Sequence, residues 1–304
     1  AHGPPDRLRQ GYGGPPKLHA KAEGGPHSFL AMSNLIILSV MGMGVLAGGL
    51  GALLGIGGGV FLVPFLRQVL GLPATVAAGI SLTTVIATSS VVSAGRTGRQ
   101  LINLRLGMLL EVATAAGGLA GGLAAQMFSD RTLDIHFGAV TAVIAIVMLT
   151  RLDRRNVILD PAADPGRLGG RFHEHESGGE VVYRVKRLPL ALGVSWVAGG
   201  ISGLLGIGGG ILKVPVLNVW CGVPLRAAAA TSAFMIGVTA VSAAPIYYAQ
   251  GKIVPPLAAA AVLGVLVGSR LGLRFGARTR AKWLKLLMAV VLLAVSILTF
   301  ARLR

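Results

Sequence analysis

The sequence predicts an all-α polytopic membrane protein made of two inverted repeats, each with about five helical segments and each opening with a glycine-broken helical hairpin. Composition is the first observation behind this prediction, because 53% of the 304 residues are hydrophobic and only 13% are charged. Soluble domains carry about 25% charged residues. Nearly charge-free stretches that hold about 20 apolar residues recur along the chain, and a helix of that length crosses a bilayer.

A repeated glycine-rich segment is the second observation. Residues 48–66 read GGLGALLGIGGGVFLVPFL, and residues 199–217 read GGISGLLGIGGGILKVPVL. Every residue of the second copy follows its counterpart by 151 positions, and the same offset relates the Gly-x-Pro turns at 71–73 and 222–224. The chain therefore contains two copies of one unit.

The first unit is predicted at residues 30–150, after a disordered tail at residues 1–29 that is rich in Gly, Pro, His and charge. It opens with an apolar run at 30–70 that glycines and a proline interrupt, which predicts a broken helix. Open backbone at membrane depth persists only where it faces protein or a cavity. Three further spans are predicted near residues 75–94, 106–127 and 132–149.

A polar linker at residues 151–187, with eight basic and six acidic residues, separates this unit from the second at residues 188–304. The second unit repeats the order, with a broken segment followed by three spans near residues 225–249, 253–273 and 283–301. The linker contains His173-Glu174-His175-Glu176. Without further ligands at fixed spacing, this run is predicted to be a solvated loop, and no metal site is expected.

Topology is the third observation. If each broken segment is a hairpin that returns to its own side, each unit has an odd number of segments, so the second unit is upside down. Alternating sides then places 18 basic residues on one face, against four in the opposite loops and four in the tail. The positive-inside rule puts the basic face and the linker in the cytoplasm, and both termini outside. Inverted repeats with broken helices are typical of secondary transporters, whose substrates bind where the breaks meet.

Several other classes of protein are disfavoured. The net charge of +17 does not indicate a nucleic-acid partner, because no basic stripe is interleaved with aromatic residues. Cys221 is the only cysteine, so an intrachain disulfide or a CxxC site is impossible. No Ser-His-Asp or Cys-His arrangement is discernible, so neither an enzyme nor a cofactor is expected.

The glycine runs are the first candidate site. A glycine-rich turn that opens a helix leaves backbone N–H groups unpaired at the positive end of the helix dipole, which suits an anionic substrate. The alternative is close helix packing, which also uses small residues. The candidate substrate-binding residues are Gly55, Gly57, Gly58 and Gly59, with Gly206, Gly208, Gly209 and Gly210 in the second copy.

Two ionisable residues in predicted membrane segments are candidates for a function. Lys213 follows the second glycine run, where the first copy has Leu62. A buried lysine is costly and indicates a function, here a cation for an anionic substrate. The alternatives are snorkelling to an interface or pairing with Glu111. Glu111 is a candidate for proton coupling, and an interfacial salt bridge to Arg105 or Lys213 is the alternative.

Hydroxyl residues recur in matched spans. Ser81 and Thr88 correspond to Ser232 and Thr239 at the same offset. Their hydroxyls are candidates for lining an anion path. The alternative is interhelical hydrogen bonding, or bonding to the helix's own backbone.

The paired GxxGIGGGxxxVPxL segments, each followed by a Gly-x-Pro turn and a span that contains Ser and Thr, resemble the TauE/SafE family of sulfite and organosulfonate exporters. The resemblance covers about residues 33–150 and 188–301. It implies a permease of the bacterial cytoplasmic (inner) membrane that exports small sulfur-containing or carboxylate anions. It also brings Pro64 and Pro215 into the transport core. A passive anion channel and a membrane-embedded anion sensor or subunit stay open as alternatives, and the oligomeric state is left open.

Overall fold

The computed structural model describes residues 26–95, 101–150, 164–174, 179–276 and 281–303. Within these ranges the chain forms ten α-helices and one pair of β-strands. The first repeat has α1 (Pro26–Leu54), α2 (Gly59–Gln68), α3 (Ala74–Ala94), α4 (Leu104–Ala124) and α5 (Asp130–Thr150). The linker has β1 (Gly170–Glu174) and β2 (Gly179–Tyr183). The second repeat has α6 (Leu188–Leu205), α7 (Gly210–Val219), α8 (Leu225–Ala249), α9 (Pro255–Gly276) and α10 (Ala281–Leu303).

Some sequence-based predictions fall on residues outside these ranges. They concern the tail at residues 1–25, the loop arginines Arg96 and Arg99, and parts of the linker and of the basic segment that joins α9 to α10. The start of α1, up to Ile36, belongs to a separate compact unit. All contacts described below lie within residues 37–304.

Six of the described helices are long and apolar enough to cross a membrane. They are α3, α4, α6, α8, the part of α1 from Asn34 to Leu54, and the part of α9 that ends at Phe275. The chain is therefore a multi-pass membrane protein, as its composition predicts. Helix α7 and the segment Ala289–Ala301 are shorter apolar helices.

The helix boundaries follow the repeat. Helices α2, α3, α4 and α5 begin at residues 59, 74, 104 and 130, and α7, α8, α9 and α10 begin at residues 210, 225, 255 and 281. Each pair of starts differs by 151 positions, the offset of the glycine motif. Helices of one repeat also pack on helices of the other. Helix α4 packs on α6 and α8, and α9 packs on α3 and on α1.

Each repeat contains a broken helix with arms of unequal length. Helices α2 and α7 have 10 residues each, so each extends about 15 Å, half of the roughly 30 Å hydrocarbon core. In the second repeat the backbone N–H of Lys186, before α6, donates to the Cys221 carbonyl, after α7, at 2.9 Å. The start of α6 therefore lies beside the end of α7.

Glycines four residues apart bring pairs of long helices into backbone contact. A Cβ added at Gly121 in α4 would lie 1.9 Å from the Gly200 carbonyl oxygen in α6, and one at Gly268 in α9 would lie 1.9 Å from the Val45 carbonyl oxygen in α1. This is the small-residue packing found in membrane helix pairs. Close packing thus accounts for these glycines, which lie outside the two breaks.

The linker contains structure that an all-α prediction omits. Strands β1 and β2 pair antiparallel, with Phe172 opposite Val181. Phe172, Val181 and Tyr183 are buried in one apolar cluster with residues of α4, α6, α7 and α8. The prediction of an all-α fold is therefore corrected here. The hairpin forms because these few apolar side chains gain a buried surface to pack against, which a polar segment viewed alone does not show.

Asn103 joins this hairpin to the helices. Its side chain accepts a hydrogen bond from the Leu106 N–H at 3.1 Å, which caps α4, and donates to the Leu168 carbonyl at 2.7 Å. Its backbone N–H donates to the Thr231 hydroxyl in α8 at 2.9 Å.

Burial raises the pKa of the Tyr183 phenol and raises that of the Cys221 thiol to about 11. The β-hairpin and the helix residues that contact it are thus closely packed.

Candidate functional site: the crossing of the two helix breaks

The two glycine breaks contact each other directly. A Cβ added at Gly59 would lie 2.6 Å from the Gly206 carbonyl oxygen, and one at Gly210 would lie 2.4 Å from the Gly55 carbonyl oxygen. These two contacts are equivalent under the 151-residue offset. Glycine is needed at this crossing because any side chain would separate the two backbones.

Each break also rests on the third helix of the other repeat. Gly55 has a φ of +70°, and a Cβ there would lie 2.4 Å from Ala229 Cα in α8. Gly206 has a φ of +73°, and a Cβ there would lie 2.4 Å from Ala78 Cα in α3. Both the left-handed backbone and the lack of space therefore require glycine at these two positions.

The centre of the crossing is covered by two apolar side chains. Cβ atoms added at Gly57 and Gly208 would each lie within 3.5 Å of atoms of Val85 and Ile236, which are matched residues of α3 and α8. Val85 and Ile236 are fully buried. A Cβ added at Gly58 would meet Ala47, and one at Gly209 would meet Ala198, so these glycines pack on the preceding helix.

The matched serines differ in their hydrogen bonding. Ser81 in α3 donates to the Gly206 carbonyl at 2.5 Å, so it binds the break of the second repeat. Ser232 in α8 is also fully buried, but its hydroxyl has no hydrogen-bond partner. The structure thus places both predicted serines at the breaks, and only one of them is satisfied.

The matched threonines also differ. The Thr88 hydroxyl donates to the Thr84 carbonyl one turn earlier at 2.9 Å, a bond to its own helix. Thr239 lies 2.8 Å from a carboxylate oxygen of Glu111, to which its hydroxyl donates. Thr239 also accepts a hydrogen bond from the Lys213 ammonium at 3.3 Å. Thr239 therefore belongs to a polar cluster that Thr88 lacks.

Lys213, Glu111 and Thr239 form this cluster, on helices α7, α4 and α8. The Lys213 Nζ and Glu111 Oε2 atoms are 3.9 Å apart, and the two residues are 2% and 7% exposed. Lys213 therefore pairs with Glu111 rather than reaching an interface. The Oε2 atom accepts no hydrogen bond. The cluster holds one cation and one anion, so an anionic substrate would compete with the carboxylate for the ammonium.

A second charged cluster was not among the candidate residues. Arg67 of α2 is buried and pairs with Asp130 and Asp134 of α5, and its guanidinium donates to the Leu72 carbonyl at 3.1 Å. Asn218, its counterpart, makes the matching bond to the Val223 carbonyl at 3.0 Å. Arg67 and Asp134 line a shallow groove together with Phe137 and Leu204. The sequence contained one sign of this cluster, because Asp134 is an acid inside the predicted span at 132–149.

Comparison with known proteins gives the family. The model of the sulfite exporter TauE/SafE family matches residues 40–299, which include both glycine breaks and the Lys213 cluster. The chain belongs to the TauE/SafE family. Like its relatives, this TauE/SafE chain is a membrane transporter. Membership of the family indicates that the chain lies in a cell membrane.

Two curated relatives of this TauE/SafE chain are themselves described only as probable transporters. The probable membrane transporter protein YunE of Bacillus subtilis is 26% identical over 269 residues, which is 86% of this chain and 96% of YunE. The probable membrane transporter protein MJ0441 of Methanocaldococcus jannaschii is 25% identical over 280 residues, which is 87% of this chain and 94% of the relative. No solved structure gives a significant match.

Proposed function

We propose that this chain is a secondary transporter that exports a small anion, either sulfite, an organosulfonate or a related sulfur or carboxylate anion. One observation carries the proposal, which is the buried ammonium of Lys213 on the short helix that starts at the crossing of the breaks. A cation buried in a membrane protein indicates a substrate or ion pathway. The amino end of α7 adds the positive end of a helix dipole.

The proposed mechanism is alternating access by movement of one repeat against the other. The reciprocal contacts between the breaks, and the exchange of packing partners between the repeats, support two units related by inversion. The hydrogen bond between Lys186 and Cys221 supports a hairpin, and so an odd number of segments, in the second unit. Val85 and Ile236 cover the central glycines, which favours a carrier with a closed midpoint over a passive channel.

Glu111 is the proposed site of proton coupling. In the described arrangement its carboxylate neutralises Lys213 across 3.9 Å. Protonation of the carboxylate would release the ammonium for the substrate anion, so proton binding and anion binding would favour each other. Export would then carry a proton out with the anion, driven by the concentration gradient of the anion. A glutamate in such a position serves as a proton relay in many pumps and transporters.

Sulfite efflux from proteoliposomes tests the proposed function. We expect protein-dependent efflux of preloaded radiolabelled sulfite that saturates with concentration, and that an organosulfonate or lactate inhibits if it shares the site. Chloride serves as the competitor that lacks oxygen atoms, and protein-free liposomes give the leak. Correctly folded protein that moves none of these anions would contradict the proposal.

A C-terminal reporter tests the proposed topology. With the linker in the cytoplasm and an odd number of segments in each unit, we expect alkaline phosphatase fused after residue 304 to be active, because the C-terminus lies outside. Green fluorescent protein at the same position is expected to be dark when the fusion is exported through the general secretory route. The reverse pattern would exclude the inverted arrangement.

A further inference from the structure

The glycine break of the second repeat is more polar than that of the first. At three positions near this break, the second repeat carries a polar group that the first repeat either lacks or already uses in a hydrogen bond. Lys213 stands where the first repeat has Leu62, and Ser202 stands where it has Gly51. Ser232 has a counterpart in Ser81, whose hydroxyl is already occupied by the Gly206 carbonyl.

Ser202 and Ser232 are both fully buried, and neither hydroxyl has a hydrogen-bond partner. Leaving a buried hydroxyl unsatisfied costs free energy, so such groups in a native structure require an explanation. Two of them near one helix end are unusual. A ligand that accepts hydrogen bonds would satisfy both at once.

Both serines lie beside the amino end of α7. The Ser232 Oγ atom would be 3.1 Å from a Cβ built at Gly210, the first residue of α7, and Ser202 Cβ would be 3.2 Å from one built at Gly209. Hydrogen bonding within α7 starts with Leu212 and Lys213, whose N–H groups donate to the Gly209 carbonyl. The earlier N–H groups have no acceptor inside the helix. Hydroxyl and backbone donors therefore lie close together at the amino end of α7.

The equivalent point in the first repeat is closed. A Cβ added at Gly51, the counterpart of Ser202, would lie 2.5 Å from the Gly57 carbonyl carbon. The backbone of the break thus occupies the space that a side chain takes in the second repeat. With Ser81 bonded and Leu62 in place of Lys213, no free donor side chain faces the amino end of α2 from these three positions.

We propose that the transporter has one oxoanion-binding site, at the amino end of α7, where Ser202 and Ser232 donate to the oxygens of the anion and Lys213 supplies the balancing charge. The first repeat supplies the other glycine break of the crossing, but that break binds no anion. This inference rests on the proposed function and assigns binding roles to Ser202 and Ser232. Backbone surrounds Gly209 and Gly210 closely in this state, so a small oxoanion would bind there as the two breaks move apart.

Alanine variants of the three serines test this asymmetry. Sulfite is the probe, and each variant is measured twice, by sulfite efflux from proteoliposomes and by the melting temperature of the purified protein with and without sulfite. Losing a hydrogen bond to a charged group weakens binding about tenfold or more. We therefore expect Ser202→Ala and Ser232→Ala each to raise the KM for sulfite about tenfold, and to reduce the thermal stabilisation by sulfite.

Stability without sulfite separates ligand binding from a structural role. Ser202→Ala and Ser232→Ala remove hydroxyls that have no partner, so their melting temperatures without sulfite are expected to equal or exceed that of the wild type. The matched control Ser81→Ala loses the bond to the Gly206 carbonyl, and should melt at a lower temperature than the wild type without sulfite.

Two results would overturn the inference. They are an unchanged KM in Ser202→Ala and Ser232→Ala, or a lower melting temperature of the two variants without sulfite, as expected if the hydroxyls held a structural water. Absence of sulfite efflux and of sulfite stabilisation in the wild-type protein would contradict the proposed function itself, which distinguishes the two failures.

Discussion

Lys213→Leu, which gives the second repeat the residue of the first, is expected to abolish saturable anion transport. Two effects add. The substrate loses its buried cation, and Glu111 is left as a buried carboxylate without its partner. Breaking a buried ion pair costs about 3–5 kcal/mol, so the free energy of unfolding is also expected to fall. Sulfite efflux and the melting temperature of the purified protein measure the two effects.

A double variant separates transport from folding. Lys213→Leu with Glu111→Val gives both positions the residues of their counterparts in the other repeat, Leu62 and Val262. Replacing a buried ion pair by apolar residues is often neutral or stabilising. We expect the double variant to melt near or above the wild-type temperature and still to transport no sulfite. Efflux at a rate near the wild type would show that Lys213 only balances the charge of Glu111.

Gly206→Ala and Gly55→Ala are expected to disrupt the crossing of the breaks. A left-handed backbone costs an alanine about 1–2 kcal/mol. The added methyl group would also meet the backbone of Ala78 or Ala229 at 2.4 Å, and overpacking of this kind costs about 1–3 kcal/mol. We expect each variant to lose roughly 3 kcal/mol of stability together with sulfite efflux, as measured by thermal unfolding and the liposome assay.

Two glycine variants serve as controls. Gly71→Ala has the same left-handed strain, with a φ of +65°, but nothing within 4 Å of the added methyl group, so it should lose only about 1–2 kcal/mol. Gly42→Ala in α1 also has open space, and is expected to be neutral or to gain up to about 1 kcal/mol. Equal stability of Gly206→Ala and Gly71→Ala would show that a methyl group at Gly206 does not clash with Ala78, contrary to the close contact described.

The candidate site was only partly visible in the sequence. The glycine runs could be located because their pattern is local and occurs twice. The partner of Lys213 could be named as one of several alternatives, because Glu111 is an acid in a predicted span. Ser202 gave no signal, since a serine among glycines in an apolar helix is ordinary. Its proposed role rests on a hydroxyl that has no acceptor, which only the packing of α6 against α7 reveals.

Two features of the fold were beyond the sequence-based prediction. The β-hairpin in the linker depends on Phe172, Val181 and Tyr183, and their burial requires a surface that four separate helices make together. The cluster around Arg67 joins α2 to α5, and its acids Asp130 and Asp134 lie more than 60 residues away. Patterns within short windows do not encode contacts of this range.

The sequence by itself determined that the chain is a helical membrane protein made of two copies of one unit. Apolar composition sets the solvent in which the chain folds, and a constant offset of 151 residues is a property of the linear chain. The tertiary structure decided how the two copies differ in hydrogen bonding. Ser81 and Ser232 occupy matched positions, yet only the Ser81 hydroxyl has an acceptor, which is the Gly206 carbonyl supplied by the other repeat.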